Sequence, residues 1–148
     1  MTNATPVKSQ IDEALDKAVN EANRWRGRCI NLFARGEQCI MNALANALPD
    51  DAPIPMLISQ KIKRLAALCE SDPEQLALLD AFAALLPTRN ALTHGSGRVF
   101  IDRSGWLLLL TFQSRRTEMN EQVTDSQAEA VRKQLHATVQ RLERGLKP

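Results

Sequence analysis

The sequence predicts a mainly α-helical bundle of four to five helices, with a long first helix and one β-hairpin inserted before the last helix. Three observations lead there. Apolar residues recur in steps of three and four through most of the 148 positions, the repeat of a helix with one buried face. Prolines and capping side chains interrupt that repeat at 49–55, 71–74 and 87. Between 98 and 112 the pattern turns strand-like, with turn residues at its centre.

The elements follow in order. Ile11, Leu15, Ala18, Ala22, Trp25, Cys29, Leu32, Gly36, Cys39 and Ala43 form one unbroken stripe, so the first helix covers 9–48 with Ser9 as its N-cap. A helix that long outruns a small domain and must pack on several elements or on a second subunit. Pro49, Pro53 and Pro55 stop it. A second helix covers 56–70, with Leu57, Ile58, Ile62, Leu65, Ala66 and Cys69 inward. Ser71-Asp72-Pro73-Glu74 starts a third, a capping side chain followed by proline in the first turn. It carries Leu76, Leu79, Phe82, Ala83 and Leu86 inward. Pro87 either kinks it or opens a short fourth helix holding Arg89 to His94, which Gly95-Ser96-Gly97 ends. The strands of the hairpin are 98–101 and 106–112, joined by Asp102-Arg103-Ser104-Gly105. The second strand is apolar on both faces, with Trp106, Leu108, Leu110 and Phe112 on one and Leu107 and Leu109 on the other. Helices are expected over one face and a partner subunit over the other. Polar residues 114–122 read as a loop. Thr124-Asp125-Ser126-Gln127 is a capping box for a last helix over 125–145.

The chain reads as a single domain over 1–148. Its composition is 44% hydrophobic and 24% charged with a net charge of +2, so no global basic field announces a nucleic-acid binder and any RNA contact must use a local patch. No run approaches the roughly 18 apolar residues that cross a bilayer. The opening MTNATPVKSQ lacks the apolar core of a signal peptide. Cys29 and Cys39, if on one helix, lie about 15 Å apart and cannot bond. The three cysteines therefore read as buried thiols in a reducing cytoplasm.

Chemistry concentrates in Arg89-Asn90-Ala91-Leu92-Thr93-His94-Gly95. On an ideal helix Arg89 and His94 diverge by about 140°, whereas Asn90 and His94 share a face. Asn90 is then placed to hold the imidazole in one tautomer. Arg89 offers a planar fork for a phosphate, and His94 a proton carrier. Two histidines without clustered carboxylates argue against a metal, and no cofactor motif is present. Cleavage of a phosphodiester by its own 2′-hydroxyl needs a base, an acid and charge stabilisation. One copy of the motif supplies half of that set; two copies across a two-fold axis supply all of it.

An arginine, a polar residue beside it and a histidine after four intervening positions, late in a helical bundle, resemble the HEPN superfamily. The trailing glycine, the hairpin and the closing helix are similar to a common bacterial subgroup. The resemblance implies a helical homodimer with paired motifs in an interface cleft. It further implies one of two functions. The first is a metal-independent endoribonuclease of toxin–antitoxin or phage-defence type, with Arg89, Asn90 and His94 catalytic and an antitoxin or other protein as partner. The second is a silent module that binds RNA, nucleotides or protein.

Bland readings stand beside these. His94 can cap a helix end, Arg89 can pair with Asp80 or Glu74, and Arg24, Arg26, Arg28 and Arg35 can form a solvated face interleaved with Glu21 and Glu37 rather than a guide for a phosphate backbone. Arg98 and Arg103, in or beside the hairpin, are candidates for substrate binding at the flank of His94. Trp25 and Trp106 read as core anchors.

Overall fold

Forty-one residues of unbroken helix, α1 (Val7–Ala47), run the length of the molecule, about 60 Å at 1.5 Å per residue. The computed structural model describes residues 7–114 and 116–146. Backbone at Val7 is already helical, so Ser9 lies inside α1 and is not its cap. Ala22 and Cys29 are fully buried along the expected stripe, Ile40 and Leu44 beside it are fully buried as well, and Ile11 at the amino end is exposed.

α2 (Ile58–Leu68) is shorter than its pattern. The proline segment before it opens with a turn, in which the Ala52 amide donates to the Pro49 carbonyl at 2.9 Å, and Met56 and Leu57 stay outside the helix and exposed, Met56 to 91%. Leu57 was expected inward; the helix begins after it, so the helical period does not extend to it. α3 (Pro73–Ala83) starts as expected, with the Asp72 side chain accepting the Gln75 amide and proline in the first turn. Of the two options at Pro87, the chain breaks and restarts. Ala84 and Leu85 form a turn, and α4 (Leu86–His94) takes Pro87 into its first turn.

The hairpin is part of a three-stranded antiparallel meander in the order β1-β2-β3. β1 (Ser96–Asp102) and β2 (Gly105–Ser114) join through Arg103-Ser104. There Asp102 Oδ1 accepts from the Ser104 amide at 2.8 Å and its hydroxyl at 2.7 Å, and Gly105 takes a φ of 133° that glycine tolerates. β3 (Thr117–Thr124) replaces most of the expected loop. Its composition, TEMNEQVT, has little strand propensity. Pairing with β2 from Ser114↔Thr117 to Leu107↔Thr124 satisfies its backbone, and as an edge strand it needs few apolar side chains.

Register puts Trp106, Leu108, Leu110 and Phe112 on the face turned to the helices; the first three are buried. Trp25 and Trp106 meet with ring centroids 6.4 Å apart, and Trp25 Nε1 donates to the Ala128 carbonyl at 2.7 Å. The two tryptophans therefore anchor the core. On the other face, Leu107 and Leu109 are half-buried beside an exposed Phe100. α5 (Asp125–Gly145) opens with the expected capping box, both hydrogen bonds present, and buries Ala128, Leu135, Val139 and Leu142. The molecule is mainly α, and no described helix is long and apolar enough to cross a membrane.

Candidate active site

α4 is only nine residues long, too short to persist without tertiary support. Ala91 and Leu92 are buried beneath it. Its end is held from α1: Arg26 donates from Nε to the Leu92 carbonyl and from Nη2 to the Gly95 carbonyl, both at 2.7 Å. The Gly95 amide donates to the Ala91 carbonyl at 2.8 Å. Orphan carbonyls of a helix C-terminus are thus served by a guanidinium from another element.

Two glycines make room for this arrangement. A side chain on Gly95 would run into the Ala91 carbonyl, and one on Gly97 would sit 3.0 Å from Arg26 Nη1. Gly95 has an extended backbone with φ −71°, so steric space, not a left-handed conformation, calls for glycine here.

His94 therefore does not bond the helix end. It is exposed and lines a cleft of about 530 Å³ together with Arg89 and Asn90. These three polar side chains come from α4, and Met56, Leu57, Ile58 and Phe112 add apolar surface to the same lining.

Arg89 is half-buried and does not pair with Asp80 or Glu74. Its Nε lies 2.8 Å from Oε1 of Glu37 on α1, with the two side chains 22% and 27% exposed. Glu37 Oε1 is buried and accepts no directed hydrogen bond, so the contact is one of opposed charges. Arg89 Nη1 donates to Asn90 Oδ1 at 3.1 Å. Asn90 thus orients the arginine and not, as its spacing suggested, the imidazole. Among the described residues Arg89 Nη2 has no hydrogen-bond partner, leaving one edge of the fork for a ligand.

Arg98 and Arg103 are not brought to this cleft. Arg98 stands exposed on β1 opposite Leu109, on the sheet face turned away from the helices. Arg103 occupies the β1–β2 turn, at the end of the hairpin remote from His94. Arg116 is exposed before β3, and Arg115 lies outside the described residues. On α1, Arg35 pairs with Glu143. Arg24 and Arg28 line a groove that also holds Glu21, Asp125 and Glu129, a mixed-charge surface of the solvated kind.

Sequence reasoning assigned both Arg26 and Glu37 to a solvated face. The available signal was their spacing: both fall on one helical line with Ile30 and Phe33, where a charge needs a partner.

Glu121 on β3 stands on the helix-facing side opposite Leu110. Burial pushes its carboxyl above the usual range, against a hydrogen bond from Thr88 on α4. Burial likewise pushes the Cys29 thiol up to about 12, and Cys39 and Cys69 are raised by the same cause. All three cysteines are free, and none lines the cleft.

No family model, curated protein or solved structure matches the chain. One chain offers an exposed imidazole, a fixed guanidinium with an open edge and the apolar side chains of Met56, Leu57 and Ile58 in the same cleft. Among the described residues, no three histidine, cysteine, aspartate or glutamate side chains gather as a ligand group.

Proposed function

We propose that this chain is a HEPN-like homodimeric ribonuclease of the reducing cytoplasm, and that it cuts RNA with Arg89 and His94 from both copies around one scissile phosphate. The observation that carries the reading is that Arg26 takes over the helix end, so His94 is exposed and shares a cleft with Arg89.

In this reading one His94 takes the proton of a 2′-hydroxyl, whose oxygen attacks the adjacent phosphorus. The bond from phosphorus to the 5′-oxygen breaks, and the second copy's His94 returns a proton to that oxygen. The products are a 2′,3′-cyclic phosphate and a free 5′-hydroxyl. Arg89 steadies the charge that develops on the non-bridging oxygens, and Asn90 holds Arg89 in register. Toxin or phage-defence use, with an antitoxin or other protein as partner, is the role that the resemblance attaches to such an enzyme.

The test is incubation of the purified dimer with RNA in the presence of a chelator, beside His94→Ala. The wild type is expected to release cyclic phosphate ends, and loss of the acid–base group to slow this by about 10²–10⁴-fold. Equal cleavage by both proteins, or a monomer at assay concentration, refutes the proposal.

One observation favours a second reading. Glu37 already balances the charge of Arg89, as suits a silent module that holds RNA, a nucleotide or a protein. In that case RNA is left intact by both proteins.

A further inference from the structure

The motif helix touches α1 at two polar points, and these lie on one line. Arg26 and Glu37 are eleven residues apart, which is three turns plus about 20°, or about 16 Å along the axis. Between them on the same line sit Ile30, partly buried, and Phe33, buried. Arg26 meets the carboxyl end of α4 and Glu37 meets its amino half, so the two helices run antiparallel. The two contacts differ in kind. Arg26 grips backbone: two carbonyls, one on each side of His94. Glu37 grips the Arg89 side chain alone.

We propose that α1 positions the motif through two separate anchors, Arg26 setting the place of His94 and Glu37 setting the aim of the Arg89 fork. Neither is a catalytic residue; each acts through the group it holds. The inference rests on the ribonuclease reading for its kinetic consequences and on geometry for the rest. Arg26 holds the last turn of α4 against fraying, which would otherwise let His94 wander. A displacement of about 1 Å in a catalytic group costs on the order of a hundredfold in rate. Glu37 lowers the net pull of Arg89 on a phosphate and in exchange fixes its orientation. Removing the carboxylate should therefore tighten substrate binding while slowing the chemical step.

Arg26→Gln and Glu37→Gln are compared with wild type by amide hydrogen exchange, by the ¹H–¹⁵N signal of Arg89 Nε, and by steady-state cleavage of an RNA oligonucleotide. In Arg26→Gln the Gly95 amide is expected to lose about tenfold or more in protection, as charge-assisted bonds at that end are lost. The Arg89 signal stays in place, and kcat falls with KM within about threefold. In Glu37→Gln the Gly95 amide is unchanged, the Arg89 signal moves, and KM and kcat both fall. Arg26→Lys, which brings one point charge in place of a fork, restores part of the protection and serves if the glutamine variant does not fold. Loss of protection spread over the whole chain, disturbance of both ends by either variant, or an unchanged kcat in folded Arg26→Gln overturns the proposal. If wild type leaves RNA intact, the ribonuclease reading fails, while the exchange and Nε signals still decide whether the anchors are separate.

Discussion

Removing Arg89 tests two things at once, and the structure shows how to part them. Arg89→Ala deletes the guanidinium and strands the Glu37 carboxylate, one oxygen of which is buried. Fully exposed ion pairs contribute about 0–1 kcal/mol, and breaking a fully buried one costs about 3–5 kcal/mol. With side chains 22% and 27% exposed, the pair lies between these limits, and we expect a loss of about 2 kcal/mol. For a chain of this size that lowers Tm by about 4–8 °C. Adding Glu37→Gln removes the stranded charge and should recover about half of the loss or more. The assay is urea unfolding of the wild type, both single variants and the double variant, with the coupling energy taken from the cycle. Cleavage is then measured on the double variant, where a defect reflects the missing guanidinium and not an unfolded chain. A coupling below about 0.5 kcal/mol would show that the contact holds nothing and would refute the reasoning.

Other outcomes follow from the same packing. A methyl group on Gly36 would press on the buried Phe82 ring, 2.8 Å from Cζ and 3.2 Å from Cδ2. Overpacking of about 1–3 kcal/mol outweighs the roughly 1 kcal/mol that alanine gains in a helix, so Gly36→Ala should unfold at lower urea than wild type. Glu121, with its carboxyl raised by burial, binds its proton more tightly folded than unfolded. Its ionisation therefore costs stability as pH rises from the ordinary glutamate value of 4.5. Glu121→Gln should stabilise the protein at neutral pH, with the gain fading under acid conditions in pH-dependent unfolding. Cys29, with its thiol pushed up to about 12, should resist a thiol-directed reagent at pH 8 in the native protein and react in denaturant. Mass spectrometry of the labelled peptides reads this directly.

The helical part of the fold was legible because period, proline and caps agreed. The α1 stripe, the Asp72 cap and the Thr124–Gln127 box each appear where the residues put them. β3 was hidden because an edge strand takes its stability from backbone pairing with β2, and Glu118, Asn120 and Gln122 carry no apolar signal. Leu57 was misplaced because the proline segment before it lets an apolar residue sit at the lip of a cleft without a helix. The motif itself was legible by residue type, but its partners were not. Arg26 and Glu37 lie 63 and 52 positions before Arg89, and only the antiparallel packing of α1 on α4 brings them near. Arg98 is close to His94 in sequence yet points to the other side of the sheet, because alternation along β1 assigns sides by parity.

The divergence of Arg89 and His94 on an ideal helix, about 140°, looks at first like an objection to a shared site. Under the proposed ribonuclease reading it becomes a division of labour. One side chain turns toward α1, where Glu37 fixes it together with its α4 neighbour Asn90; the other turns to solvent, where no hydrogen bond among the described residues restrains it. Stabilising charge on a phosphate favours a donor with little freedom, since reorganisation at the moment of reaction is what preorganisation avoids. Carrying a proton favours a group that water and substrate can both reach. A single chain holds one of each. A reaction that must both take and return a proton at two oxygens on opposite sides of phosphorus needs a second carrier, and Glu37, committed to Arg89, is badly placed to be it. In the proposed ribonuclease, the contact that fixes Arg89 takes Glu37 out of use as a base, and the second carrier is the His94 of another copy.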